Sequence, residues 1–173
     1  DAAFETVHWP ARMQHIKSAT QGGHSFILDA AHNPSGLARV LPELERHVSE
    51  ACKDGNTGWS LLFGTSPQID VQAFCQPLID LCRRHPPQHI VLTVPQKGRY
   101  PGVSADQLAK LAWPCESIHV IQNPEKAVTH LDRFDPDDVG LVVSLGSLYL
   151  QGNILESLGR SSNEDLSLLA KQS

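Results

Sequence analysis

The stretch Phe26-Ile-Leu-Asp29-Ala-Ala-His32-Asn33-Pro34-Ser35 puts a carboxylate at the end of an apolar run and an imidazole three positions later, where a helix would start. In open α/β sheets ligands bind at the carboxyl ends of strands, so a strand ending at Asp29 delivers these groups to a binding edge. A carboxylate there can accept two hydrogen bonds from ribose hydroxyls. The free N–H groups of a helix start, beside an imidazole, favour a phosphate or a carboxylate. The arrangement suits a nucleotide held by Asp29, His32 and Asn33. A plainer reading stays open, in which Asp29 caps a turn, His32 is a solvated loop residue and Asn33-Pro34 only begins a helix.

Two further stretches carry weaker signals. In His8-Trp9-Pro10-Ala11-Arg12-Met13 an aromatic residue and a proline stiffen the approach to a single arginine, whose permanently charged fork suits phosphate oxygens. Taken alone it reads more simply as an ordinary surface Arg12 beside an anchoring Trp9. In Leu145-Gly146-Ser147-Leu-Tyr149-Leu-Gln-Gly152 a Gly-Ser step follows an apolar strand. Such a step exposes backbone N–H groups that can hold a carboxylate. Alternatively, Gly146 only supplies permissive backbone angles and Tyr149 is core.

Other chemistries find no support. The nine histidines include no pair with HxxxH or HxxEH spacing on a helix and none beside paired cysteines, so no metal site is expected. Gly64-Thr65-Ser66-Pro67 is not a GxSxG elbow, which excludes a serine hydrolase of that type.

The elements that must position these residues alternate between two periods. Short β-rich runs at Met13–Lys17, Ser25–Asp29, Trp59–Gly64, His89–Val94, Ser117–Ile121 and Val139–Ser144 are separated by segments of helical period. That alternation predicts βαβ units on a mainly parallel sheet. Asn33 and Pro34 start the first helix, with Leu37, Val40, Leu41, Leu44 and Val48 on one face. Val71, Phe74, Cys75, Leu78 and Cys82 form a second such face. Pro42 and Pro77 lie inside these two patterns and are expected to kink or interrupt both helices. Ser104 with Gln107 fits a capping box, Asn123-Pro124 repeats the Asn-cap arrangement, and a last helix is expected over Leu148–Leu158. The Gly- and Pro-punctuated segment Gln96–Val103 reads as an exposed loop. The chain turns polar from Ser161, which predicts a frayed tail at 161–173.

Composition narrows the class. A chain of 173 residues, 40% hydrophobic and 19% charged, is one globular domain with enough length to bury a core. A net charge of -5 with 14 scattered basic residues gives no electrostatic footprint for nucleic acid. No run approaches the roughly 18 apolar residues of a membrane span. The start lacks the order of a signal peptide. Cys52, Cys75, Cys82 and Cys115 show no CxxC spacing, which points to a reducing compartment. The absence of an initiating Met suggests an excised piece of a longer protein.

Together, Trp9-Pro-Ala-Arg12, Leu28-Asp-Ala-Ala-His-Asn-Pro34 and Gly146-Ser-Leu-Tyr-Leu-Gln-Gly152 resemble, in order and spacing, the WPGR, LDGAHNP and GSLYLVG signatures of one family. These run through the final domain of folylpolyglutamate synthases and dihydrofolate synthases, in the Mur ligase superfamily. The resemblance covers Trp9 to about Leu158. It implies a Rossmann-like three-layer α/β domain, with a mostly parallel sheet of about six strands over residues 1–160, preceded by a P-loop ATPase domain outside this chain. It also implies joining L-glutamate to dihydropteroate or to folate polyglutamates through an acyl phosphate, with ATP and Mg2+ held mainly by that preceding domain.

Carried over residue by residue, the resemblance gives Asp29 the ribose and Arg12 the phosphates or nucleoside. It gives His32 the orientation of glutamate or phosphate, and Ser147 and Tyr149 the glutamate side. Asp29→Ala would then weaken ATP use and leave folding nearly unchanged. No segment fits G-x-x-x-x-G-K-S/T, so this chain is expected to be inactive alone, closing on the P-loop domain about a hinge just before Trp9. The expected partners are ATP, L-glutamate, a pterin or folate substrate and that domain, with no nucleic acid and no membrane. The expected compartment is the cytoplasm, or the mitochondrion in a eukaryote. Ala11 and Ala30 depart from family glycines, and Ile69 stands where a basic residue often precedes Asp70. Two rivals remain: another Mur-type amino-acid ligase domain, and a non-catalytic nucleotide-binding module.

Overall fold

The apolar runs form strands because the central ones meet partners that bury both of their faces, while the two at the sheet edges stay partly exposed. In a computed structural model, which describes residues 11–17, 19–53 and 58–160, eleven elements follow in order. They are β1 (Gln14–Ile16), β2 (Ser25–Leu28), α1 (Pro34–Cys52), β3 (Gly58–Phe63), α2 (Val71–Arg84), β4 (His89–Leu92), α3 (Ala105–Ala109), β5 (Ile118–Val120), α4 (Pro124–Leu131), β6 (Val139–Leu145) and α5 (Leu148–Ser157).

The strands make one six-stranded sheet in the order β1-β2-β6-β3-β4-β5. All pairs are parallel except β1 with β2, where Gln14 faces Leu28 and Ile16 faces Phe26. The fold is therefore the α/β type expected, with an antiparallel strand at one edge. Side-chain alternation sorts the core into two layers. Ile27, Leu61, Phe63, Ile90, Leu92 and Val143 pack against Leu37, Leu44, Phe74 and Leu78 of α1 and α2. Phe26, Leu28, Leu62, Val91 and Val142 pack against Val128, Leu131, Leu150 and Ile154 of α4 and α5. Three layers result, with β6 between β2 and β3.

The helix starts follow their capping residues. Asn33, Asp70, Ser104, Asn123 and Ser147 each accept a backbone N–H of the first turn with the side chain. The expectation for the prolines fails, because α1 and α2 run unbroken through Pro42 and Pro77. Both prolines are exposed, as are Ala38 and Ala73 one turn earlier. The carbonyls that lose their N–H donors therefore lie on the wet side of each helix, where water replaces the bond.

Strands are shorter than their apolar runs at several ends. Met13 lies outside β1 with φ of 44°, and β5 keeps three residues. The loop after β4 carries no regular element and exposes Lys97, Arg99 and Tyr100, and it is tied back by Val103 N–H donating to the Thr65 carbonyl over 3.0 Å. All four cysteines are free thiols, and burial pushes Cys75 and Cys82 up to about 12. Among the described residues no helix is long and apolar enough to cross a membrane. Trp9, Pro10, the expected hinge and the polar tail at 161–173 lie outside the described residues.

Candidate functional site

Helix α1 leaves β2 toward one face of the sheet, while α5 leaves the adjacent β6 toward the other. Loops that part in this way open a crevice at the carboxyl ends of the two strands. There a cleft of ≈ 850 Å³ is lined by Arg12, Asp29, His32, Asn33, Arg39 and Glu43, with Leu148 from the start of α5. Four of the six site residues expected from sequence therefore converge.

Asp29 is 4% exposed, and its carboxylate organises the cleft wall. One oxygen accepts the Met13 N–H over 2.9 Å and the other accepts the Ala31 N–H over 2.8 Å. Each oxygen keeps a second lone pair, so Asp29 can still accept from a ligand. Burial pushes its carboxyl above the usual 3.8, opposed by the Ala31 and Met13 N–H groups and by the Arg12 charge, while Glu43 adds to the rise. In the geometry Asp29 caps the turn and also lines the cleft. Its two backbone bonds also change what Asp29→Ala should do, since the substitution leaves two donors without their acceptor.

His32 is exposed, and its Nδ1 lies 3.0 Å from the Ala30 carbonyl. A carbonyl only accepts, so Nδ1 donates, and neutral His32 carries its lone pair on Nε2. Asn33 is occupied as the N-cap of α1, its side-chain oxygen accepting from Gly36 N–H over 2.8 Å and from the Ser35 hydroxyl over 3.0 Å. Arg12 is exposed at the rim.

The glutamate-side pair is arranged differently. Ser147 is fully buried, and its hydroxyl oxygen accepts from Tyr149 N–H over 3.1 Å and from the Ser66 hydroxyl over 3.2 Å. Tyr149 is half-buried with its ring against the loop after β4, where a Cβ on Gly98 would stand 3.1 Å from Cδ2. Neither lines the cleft, and Leu148 between them does. Sequence reasoning missed Arg39 and Glu43. Their signal was the i, i+4 spacing of Arg39 and Glu43, charged positions beside Val40 at the border of the apolar stripe of α1. It also missed Gln68, whose Nε2 donates to the His32 carbonyl over 2.7 Å. Nothing local marks that bond, which spans 36 positions. Among the described residues no group of three or more His, Cys, Asp or Glu could hold a metal ion.

Comparisons with known proteins agree with this architecture. No curated protein matches the chain. Among solved structures it is similar to a bifunctional folylpolyglutamate synthase/dihydrofolate synthase of Yersinia pestis complexed with AMPPNP and Mn ion. The identity is 20% and the TM-score 0.62, over 90% of this chain and 32% of that one. It is also similar to E. coli FolC in complex with DHPP and ADP, at 18% identity and TM-score 0.63 over 97% of this chain and 33% of that one. A MurF ligase from Thermotoga maritima in complex with ADP gives 14% and 0.52, over 95% and 32%. The chain thus spans about a third of each of these proteins. The family model for the glutamate ligase domain of Mur ligases matches residues 11–146, and the chain belongs to that family, the C-terminal domain of the Mur ligases.

Proposed function

We propose that this chain completes the ATP and glutamate sites of an acid–amino-acid ligase that adds L-glutamate to dihydropteroate or to folate polyglutamates through an acyl phosphate. The observation that carries this reading is the convergence of Arg12, Asp29, His32 and Asn33 on one cleft at the ends of β2 and β6. The residues fit a nucleotide. The spare lone pairs of Asp29 accept ribose hydroxyls, Arg12 offers a fork to phosphate oxygens, and α1 starts beside them.

A carboxylate is a poor electrophile, and ATP with Mg2+ supplies the phosphoryl group that gives it a leaving group. In this reading both are held mainly by a preceding P-loop domain, so the chain alone does not turn over. The chain's own task is to hold the amine near the activated carboxyl, and positioning of this kind contributes roughly 7–11 kcal/mol. His32 Nε2 accepts a hydrogen bond from the amine of glutamate, or donates one to a phosphate oxygen when protonated. With its hydroxyl occupied, Ser147 shapes the glutamate side through the start of α5 and not by direct contact. The free thiols suit a reducing compartment such as the cytoplasm.

The test is ADP release by the ligase containing this chain, with magnesium-ATP and L-glutamate. Turnover with dihydropteroate supports a dihydrofolate synthase, and turnover with a reduced folate monoglutamate supports a polyglutamate synthase. Turnover only with a muramoyl peptide acceptor sinks the folate assignment in favour of another Mur-type ligase. Nucleotide binding without turnover on any acceptor leaves a binding module.

A further inference from the structure

The loop Thr65–Asp70 between β3 and α2 reaches both halves of the crevice, although β6 separates β3 from β2. On one side Gln68 Nε2 donates to the His32 carbonyl over 2.7 Å. On the other the Ser66 hydroxyl donates to Ser147 Oγ over 3.2 Å. Gln68 is anchored in its own loop as well, with Nε2 lying 3.1 Å from Thr65 Oγ1 and 3.3 Å from the Ser66 carbonyl. The Thr65 hydroxyl donates to the Ser66 carbonyl, which leaves its oxygen ready to accept. An amide nitrogen has two hydrogens, so at most two of the three acceptors are fully bonded at once, and the His32 carbonyl is the shortest.

We propose that Gln68 is a positioning residue for His32: its amide holds the His32 peptide so that the imidazole keeps Nδ1–H on the Ala30 carbonyl and presents Nε2 to the cleft. The inference deepens the ligase reading and rests on it for the purpose Nε2 serves. Elsewhere in this segment Asp29 holds the Ala31 N–H, the Ala11 carbonyl holds the Ala30 N–H over 2.7 Å, and the Asn33 carbonyl accepts from Leu37 N–H of α1, which leaves the His32 carbonyl to Gln68. His32 Nδ1 must rotate onto a carbonyl two residues back, so it depends on the orientation of the intervening peptides. Among the described residues, the Gln68 bond is the one hydrogen bond joining Asp29–Asn33 to the β3–α2 loop. Glutamine suits the task, being long enough to cross the end of β6 and adding no charge beside Asp29.

The test separates positioning from folding and from the ligase reading. On the 173-residue chain, the ring 15N signals of His32 report which nitrogen carries the proton. The wild type should show Nδ1–H. Gln68→Leu, which keeps the size and loses both donors, should shift His32 toward the Nε2–H tautomer while leaving the amide spectrum of the sheet in place. Gln68→Lys, which restores a donor, should recover part of the Nδ1–H population, and Gln68→Glu, which puts an acceptor against a carbonyl, should not. In the ligase containing this chain, Gln68→Leu should lower kcat roughly ten- to a hundredfold, with KM for ATP little changed. An unchanged His32 spectrum in Gln68→Leu overturns the proposal, whatever the activity. Full activity in His32→Ala would instead sink the role given to His32, leaving the tautomer result to stand by itself.

Discussion

Ala30 N–H donates to the Ala11 carbonyl over 2.7 Å, and Ala30 packs against the small apolar cluster that Ala11 forms with Leu148. Ala11 and Ala30 are therefore partners in one small apolar contact between the loops of β1, β2 and β6.

Ala11 carries that arrangement at a backbone cost. Its φ of 59° is left-handed, a conformation that costs a non-glycine residue roughly 1–2 kcal/mol. Its buried methyl returns about 0.8 kcal/mol, and alanine restricts the unfolded chain by a further ~0.4–1 kcal/mol. These terms nearly cancel. Ala11→Gly should thus change unfolding free energy by less than about 1 kcal/mol in urea titration. Ala11→Val, with a branched Cβ at positive φ, should cost more than about 2 kcal/mol. A large loss in the glycine variant would mean that the Leu148 contact outweighs the strain.

Asp29 is tied to folding through two backbone hydrogen bonds. Asp29→Ala leaves the Met13 and Ala31 N–H groups without acceptors in a buried place, and an orphaned buried donor costs roughly 1–3 kcal/mol. The expected result is a lower Tm together with weaker nucleotide binding in calorimetry. An unchanged Tm would show that water replaces the carboxylate at little cost. Asp29→Asn keeps one acceptor oxygen and should lose less stability than Asp29→Ala.

Gly146 answers a steric demand. Its φ is 111°, and an added Cβ would run into the Gly64 carbonyl, with Phe63 Cε2 at 2.8 Å. Neither the backbone just after β3 nor a buried ring can yield, so Gly146→Ala should destabilise by about 2–4 kcal/mol. Thermal melting reads this directly, and a shift of under about 2 °C would mean that the β6–α5 turn has another conformation open to it.

Much of this was legible because it is local. The cap at Asn33, the apolar stripe of α1 and the strand ending beside Asp29 are short-range patterns, and each appears where its period and capping chemistry put it. The continuity of α1 through Pro42 was not legible, since it depends on which side of the helix meets water. Nor was the burial of Ser147, because the loop that covers it comes from 81 positions earlier. The strand order was hidden for the same reason. That β6 inserts between β2 and β3 is a tertiary choice, and it is what brings Leu148 to face Asp29.

A last prediction concerns the opposite side of the sheet from α1. His130 Nε2 lies 3.2 Å from His119 Nδ1, His119 Nε2 lies 2.9 Å from Ser117 Oγ, and that hydroxyl lies 2.6 Å from His89 Nδ1. The His89 ring stacks on Phe134 with centroids 3.7 Å apart. Burial first, and then the neighbouring imidazoles, push His89 and His119 below the ordinary 6.5. Two facing imidazole nitrogens share one proton, and when both rings are protonated the contact has two donors and no acceptor. The unfolded chain therefore binds protons at a pH where the folded chain does not. Stability is full above 6.5 and is lost as pH falls from there through the lowered folded values. Asp29, raised above 3.8, acts with the opposite sign, so comparison with a variant isolates the imidazoles. Between about pH 7.5 and about pH 5.5 the wild type should lose more Tm than His119→Gln, whose amide can still donate to one neighbour and accept from another. Equal losses in the two proteins would show that the imidazole chain is no source of acid sensitivity.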